Sequence, residues 1–234
     1  MDGEPRPGLW ARLGSVSGML SLPALAGGIY LALGYAPTEK VMGDVQRIFY
    51  FHVPLAWVSF LAFGVVCIAS ILYLARRERR WDLAAAAAAE IGVVCCALVL
   101  VTGSIWGRSA WNTWWTWDPR LTTTLILFMI YLAYLVLRQA YEGSEAGPRL
   151  AAVLGIIGFV DVPIVFMAIR WWRTIHPVVL QASGFQMAPS MVLTLLVNLG
   201  AFTLLFGGLL WLRIRLAALE ERVKVLKGRL EAGE

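Results

Sequence analysis

Charged residues are scarce in this sequence: Asp, Glu, Lys and Arg make up 15% of its 234 residues, whereas 59% are hydrophobic. Soluble globular domains carry about 25% charged and about 45–50% apolar residues, so this composition excludes an ordinary soluble domain. Apolar runs of about 20 residues are long enough to cross a bilayer as helices. The composition therefore predicts a helical integral membrane protein.

Cysteine and histidine are also rare, at three and two residues. Cys67, Cys95 and Cys96 all fall inside predicted membrane spans, without metal-ligand spacing and without the pattern of an extracellular disulfide framework. We interpret them as small buried apolar residues. The histidines, His52 and His176, instead fall beside predicted loops on one side of the membrane.

Hydropathy predicts six membrane-spanning helices joined by short loops, an all-α integral membrane fold. The expected spans are Val16–Tyr35, Pro54–Ala75, Leu83–Ile105, Pro119–Leu137, Leu150–Ile169 and Ala188–Leu212. We assign residues 1–212 to one six-span membrane domain. Residues 213–234 form a predicted cytoplasmic amphipathic helical tail, because apolar residues recur at spacings of three and four: Leu216, Leu219, Val223, Leu226 and Leu230.

The distribution of Lys and Arg predicts the orientation. Fourteen of these 20 residues flank the side of the spans that holds both termini, and six flank the other side. Because flanking Lys and Arg stay in the cytoplasm, both termini are predicted to be cytoplasmic. The polar segment Met1–Arg12 shows no cleavage site behind a short apolar core, so we expect the first span to act as its own signal. The net charge of +5 reflects this sorting and does not indicate nucleic-acid binding.

The loop between the third and fourth spans is unusually rich in tryptophan. It holds five of the chain's eleven: Trp106, Trp111, Trp114, Trp115 and Trp117. A plain aromatic belt at the membrane interface is one interpretation. Five tryptophans beside Asp118 and two arginines favour another, an aromatic shelf for a large planar ligand with anionic edges, such as haem. If the middle of the loop is helical, Trp111, Trp114, Trp115 and Asp118 share one face.

The other two outer loops each place a histidine beside aromatic residues. In the first, apolar residues and the histidine recur at helical spacing: Val41, Val45, Ile48, Phe49 and His52. This spacing predicts a short helix on the membrane surface. His52 is expected in the first turn of the second span, ahead of Pro54. In the third, His176 follows Trp171, Trp172 and Arg173 and precedes Pro177, which restricts its backbone. Because imidazole is a common ligand of haem iron, we predict that the two histidines are axial ligands.

Outer-side arginines are candidates for pairing with haem propionates, because guanidinium groups bind carboxylates bidentately. The candidates are Arg108, Arg120, Arg170 and Arg173, of which Arg120 is favoured since it follows the tryptophan shelf directly; interfacial snorkelling is the alternative for each.

Two aspartates have alternative roles. Asp118 before Pro119 is also typical of a helix N-cap. Asp161, in the fifth span beside Pro163, is either a functional intramembrane carboxylate or the polar partner of a proline kink.

The motif Trp106–Arg120, with Arg47–Pro54 ahead of it and Trp171–His176 behind it, resembles the WWD signature of the haem exporter protein C (CcmC) family of the cytochrome c maturation system. The resemblance covers the six spans. It implies a bacterial inner (cytoplasmic) membrane location and haem b held at the periplasmic face by His52 and His176.

The resemblance also implies partners: the CcmE haem chaperone, the CcmA/CcmB ABC transporter and the CcmD small subunit, with no bond-making catalysis by this chain. Two alternatives stay open. A haem lyase or synthetase component would need a cleft for the apocytochrome peptide, for which the short outer loops leave little room. A haem permease would need a polar or broken path through the bilayer, which only Asp161 and Pro163 suggest.

Overall fold

The computed structural model describes residues 9–176, 180–181, 184–185 and 187–232. Its helices are α1 (Leu9–Tyr30), α2 (Phe49–Arg76), α3 (Arg79–Trp111), α4 (Pro119–Ala140), α5 (Ala146–Phe159), α6 (Asp161–Trp171) and α7 (Pro189–Ala232). A short hairpin pairs β1 (Leu180–Gln181) with β2 (Gly184–Phe185). Residues 1–8 of the polar N-terminal segment, and the predicted restriction by Pro177, lie outside the described residues.

Six helical segments in the described part of the chain are long and apolar enough to cross a membrane, which confirms the predicted fold class. α5 and α6 together form the fifth span, and the other helices supply one span each. α1 begins at Leu9, earlier than predicted, and continues into one π-helical turn at Leu31–Tyr35. α7 runs without interruption from the sixth span through the predicted tail to Ala232, which confirms that the tail is helical.

The predicted surface helix in the first outer loop is only partly present. A 3-10 turn covers Asp44–Ile48 and leads directly into α2, while Val41 is 91% exposed and belongs to no helix. α2 begins at Phe49, not at Pro54, because Phe49 and its neighbour Tyr50 are buried in an apolar cluster that also holds Trp106. His52 therefore does lie in the first turn of α2, as expected.

The first and last spans pack closely through small residues. The Ser17 hydroxyl donates to the Leu204 carbonyl at 2.8 Å. A Cβ added at Gly208 would lie 2.5 Å from the Gly18 Cα, so only glycine permits this approach of the two backbones. Close contact through small residues is the usual way for helices to associate in lipid, where the solvent is as apolar as the side chains.

The central core joins α2, α3, α4 and the α5–α6 span. Phe63 stacks on Tyr131 with ring centroids 3.7 Å apart, and the Tyr131 hydroxyl donates to the Gly155 carbonyl at 3.0 Å. The fifth span breaks at Val160, just before Asp161 and Pro163. A proline in a helix removes a backbone donor, which accounts for a break at this place.

The two ends of the bundle differ in charge pairing. At the end that holds the C-terminal tail, Asp82 is 2% exposed and accepts hydrogen bonds from Arg79 and Arg138. Arg213 binds Glu90 through two hydrogen bonds of 2.5 and 3.0 Å. At the opposite end, the tryptophan loop lies between α3 and α4, and both histidines lie beside it.

Candidate functional site

A cavity opens among α2, α3, α4 and α6 at the end of the bundle that carries the tryptophan loop. Both histidines line it, although 124 positions separate them in the sequence. Among the other lining side chains are Trp111, Trp114, Trp115 and Arg120, all predicted site residues. Cys96 also borders the cavity as a buried free thiol, in agreement with its expected role as an apolar residue. The tertiary structure thus brings together residues from three separate outer segments.

The His52 ring is held by α3. Its Nδ1 lies 2.9 Å from the Thr102 hydroxyl, which donates its single proton to the Leu98 carbonyl at 2.7 Å. A hydroxyl in this orientation can only accept from the histidine, which favours the tautomer with the proton on Nδ1. A Cβ at Gly103 would lie 3.1 Å from the His52 Cε1, so the glycine leaves the room that the ring occupies. The unprotonated Nε2 is the atom left to bind a metal.

His176 is held by the start of α4. Its Nδ1 lies 3.4 Å from the Asp118 Oδ2 and 3.4 Å from the Thr174 hydroxyl, which itself donates to the same carboxylate oxygen at 2.8 Å. Both neighbours of Nδ1 therefore act as acceptors, so the proton lies on Nδ1 here too. The other oxygen, Asp118 Oδ1, accepts the Leu121 N–H at 3.0 Å and caps α4, as Asp-Pro predicted. One carboxylate thus fixes both the helix end and the histidine.

The ionisation of this pair follows from its surroundings. Burial lowers the pKa of His176, and the nearby Arg120 lowers it further, against an opposing contribution from Asp118. Burial acts to raise the pKa of Asp118, but the hydrogen bonds from Leu121 and Thr174 and the neighbouring His176 outweigh it, and the pKa lies below its usual value. Near neutral pH the site therefore presents a neutral imidazole on an ionised carboxylate.

Aromatic contacts connect the two histidines. The His52 ring lies 6.1 Å from the Trp106 ring, Trp106 lies 5.7 Å from Trp111, and Trp111 lies 5.6 Å from His176, all between centroids. Trp106 is buried behind the cavity, whereas Trp111 lines it. The tryptophans therefore support both imidazoles as well as forming the wall between them.

The middle of the tryptophan loop is not helical, so the shared helix face considered for Trp111, Trp114, Trp115 and Asp118 does not apply. α3 ends at Trp111, Asn112 adopts the left-handed conformation (φ 55°), and residues 113–118 form an irregular loop up to α4. The Thr113 hydroxyl donates to the Trp115 carbonyl at 3.0 Å within this loop. Trp111, Trp114 and Trp115 still line one cavity, so the shelf exists, but loop conformation and not helical periodicity creates it.

The remaining predicted site residues differ in whether they line the cavity. Trp117 is 74% exposed and packs edge-on against Trp115, away from the cavity lining. Among the candidate arginines, Arg120 lines the cavity. Arg108 instead hydrogen-bonds to Asn112, and its guanidinium lies 6.0 Å from the Trp114 ring centroid. Arg173 is exposed in the loop after α6.

Sequence reasoning missed the roles of two threonines that contact the histidines. Thr102 belongs to no motif, although it lies four residues before Trp106 and so shares its helix face. Thr174 lies inside the Trp171–His176 segment but has no signal of its own. Two polar atoms on the cavity-lining residues Trp115 and Thr116, the indole Nε1 and the hydroxyl oxygen, are buried without a hydrogen-bond partner in the described structure. Buried donors without partners are unfavourable, so these two groups suit a ligand that carries oxygen acceptors.

Comparison with known proteins identifies the family. A family model described as heme exporter protein C (CcmC) matches residues 8–229. The chain is 40% identical over 215 residues to heme exporter protein C of Bradyrhizobium diazoefficiens, covering 88% of this chain and 82% of that protein. It is 35% identical over 215 residues to heme exporter protein C of Haemophilus influenzae, covering 91% and 87%.

A plant relative extends the match. The chain is 36% identical over 180 residues to a putative cytochrome c biosynthesis ccmC-like mitochondrial protein of Marchantia polymorpha, covering 76% of each chain. The family model and the two bacterial relatives span both histidine segments and the tryptophan loop between them. This chain therefore belongs to the heme exporter protein C family.

Proposed function

We propose that this chain binds haem in the cavity beside the tryptophan loop and passes it on for cytochrome c maturation. One observation carries the proposal: His52 and His176 line the same cavity, each with Nδ1 engaged in a hydrogen bond. Haem iron accepts imidazole nitrogen at its axial positions, and a ligating histidine normally donates its other N–H to a nearby oxygen. Both histidines meet that requirement before any ligand is present.

The chemistry of the cavity lining suits a porphyrin. Trp111, Trp114 and Trp115 supply flat apolar surface for the ring. Arg120 supplies a cation for a propionate, and the unpartnered Trp115 indole N–H and Thr116 hydroxyl supply further donors. The predicted contributions of Trp106, Trp117, Arg108 and Arg173 are then indirect, through packing or through charge at the rim. Haem b, which lacks covalent attachment, is the proposed form.

Orientation and partners complete the proposal. The excess of Lys and Arg around the α2–α3 loop and the C-terminal tail supports cytoplasmic termini, and we propose that the cavity lies at the periplasmic face of the inner membrane. Membership of the family supports delivery of haem to CcmE, with the CcmA/CcmB transporter and the CcmD subunit as partners within the lipid bilayer. Haem is then a substrate in transit, so its axial bonds must be exchangeable.

Absorption spectra of the purified protein, before and after dithionite reduction, test the proposal. The wild type from haem-producing cells should show a six-coordinate low-spin spectrum. His52→Ala and His176→Ala should each lose that spectrum and fail to load CcmE, and added imidazole should partly restore it by filling the vacant axial position. Cys67→Ala, also on α2 but outside the cavity lining, is the control. If both histidine variants keep the wild-type spectrum, the ligands lie elsewhere.

A further inference from the structure

We propose that the two histidines are unequal ligands: Thr102 and Asp118 hold both imidazoles in the same tautomer, but the neutral Thr102 leaves His52 as the weaker ligand and the first to be exchanged. The inference rests on the proposed haem function, which it deepens. It assigns Thr102, a residue outside every motif in the sequence, as a positioning residue for His52.

The Thr102 contact fixes which nitrogen of His52 is available. A threonine hydroxyl has one proton, and here it points along α3 to the Leu98 carbonyl at 2.7 Å, with the Val99 carbonyl at 3.3 Å. Its oxygen is left as the acceptor for Nδ1–H at 2.9 Å. A hydroxyl held in this way by its own helix cannot turn to donate without giving up its backbone bond. The tautomer of His52 is thereby set by the fold.

The corresponding partner of His176 is an anion. Asp118 Oδ2 receives the Thr174 hydroxyl at 2.8 Å and faces His176 Nδ1 at 3.4 Å. Both side chains are largely buried, with 16% exposure for His176 and 10% for Asp118. A carboxylate partner pulls the Nδ1 proton more strongly than a neutral hydroxyl does, even over a longer contact, and makes the ring a stronger donor to a metal. His176 is therefore the stronger ligand.

The positions of His52 and His176 determine what their unequal ligand strength means for haem transfer. His52 lies in the first turn of α2, within a packed membrane span, whereas His176 lies in the loop after α6. When the His52 bond breaks first, haem stays attached to the residue on the outer loop. An incoming ligand from a haem-accepting protein then takes the vacated axial position before the second bond is lost.

The first test uses haem-free protein labelled with nitrogen-15 in histidine. Because the chain has two histidines, only two imidazoles contribute ring nitrogen signals. Wild type should show both rings protonated at Nδ1. Thr102→Val should reduce the Nδ1-protonated fraction of His52 to about half or less without changing His176, and Thr102→Ser should keep the wild-type signals. A wild-type His52 protonated at Nε2, or a Thr102→Val spectrum identical to wild type, would overturn the inference.

Thr203→Val is the matched control. The Thr203 hydroxyl also donates to its own helix, to the Leu199 carbonyl at 2.6 Å, and also accepts a ring N–H, from Trp57 at 3.1 Å. It lies on α7, away from the cavity lining. Its removal should leave both histidine signals unchanged. A change equal to that of Thr102→Val would mean that the effect is a general response to a lost hydroxyl, and would refute the assignment.

The second test measures ligand strength in protein reconstituted with ferric haem. His176→Ala, which leaves only His52, should lose haem to an excess of haem-free globin roughly tenfold faster than His52→Ala, which leaves only His176. Equal rates, or the reverse order, would overturn the ranking. Failure of the proposed haem function gives a different result from failure of this ranking. In that case neither histidine variant would alter the haem spectrum, and this outcome does not depend on the nitrogen signals.

Discussion

The two ends of the bundle differ in how their charged side chains are paired. At the tail end, buried charge is matched: Asp82 lies between Arg79 and Arg138, and Glu90 pairs with Arg213. At the cavity end, the Arg120 side chain lines a cavity, and donors on Trp115 and Thr116 have no partner within the described structure. Paired charges hold the helices of the tail end together, whereas a cation that lines a cavity can pair with an anionic ligand.

The largest expected effect lies at the matched end. Asp82→Ala leaves Arg138 buried without its carboxylate, which should cost about 3–5 kcal/mol of stability. Thermal unfolding in detergent, followed by loss of the monodisperse peak on size-exclusion chromatography, measures it. Glu78→Ala removes the partly exposed partner of Arg80 and should change stability by less than about 1 kcal/mol. Similar losses in both variants would remove the distinction between buried and exposed pairing.

At the cavity end, Arg120→Ala should weaken ferric haem binding roughly tenfold while leaving thermal stability near wild type, because the lost bond is to the ligand and not to the protein. Spectroscopic titration with haemin gives the dissociation constant. Arg80→Ala, at the opposite end, serves as the control and should bind haem like the wild type. Equal weakening by the two substitutions would contradict the propionate assignment.

Asp118 both caps α4 and contacts His176, so two substitutions should separate these roles. Asp118→Ala removes both the cap on α4 and the partner of His176, and should lower stability by about 1 kcal/mol as well as weaken haem binding. Asp118→Asn retains an oxygen for the Leu121 N–H and should affect haem binding alone. Thermal midpoints of the haem-free variants and haemin titrations provide the two measurements. If Asp118→Asn lowers stability as much as Asp118→Ala does, the charge and not the capping hydrogen bond stabilises α4.

The smallest expected effect is on pH dependence. The pKa of His176 is lowered below the ordinary value of 6.5. A group whose pKa is depressed by folding stabilises the protein fully above its unfolded pKa, and this contribution is lost as the pH falls through the folded pKa. The thermal midpoint of haem-free wild type should therefore decline below about pH 6.5, and His176→Gln should flatten that decline. A variant that keeps the wild-type slope would assign the titration to another group.

Much of the membrane architecture could be predicted because its determinants are local. Apolar length marks the six spans, and Asp118 before Pro119 marks the start of α4 by capping chemistry that needs only adjacent residues. The two histidines are recognisable as candidates because they are the only ones and both flank aromatic loops. Helical periodicity does not apply beyond Asn112, whose left-handed backbone ends α3 and begins a loop.

What the sequence determined by itself is therefore the number and approximate positions of the spans and the residue types available at the outer face. The tertiary structure alone decided that His52 meets Thr102, that His176 meets Asp118, and that Arg120, of the candidate arginines, lines the cavity. The reason is physical: a span is set by apolar length along one segment, whereas contacts between spans depend on how each helix is rotated and tilted against its neighbours. In lipid that arrangement is set by the packing of side chains from distant parts of the chain.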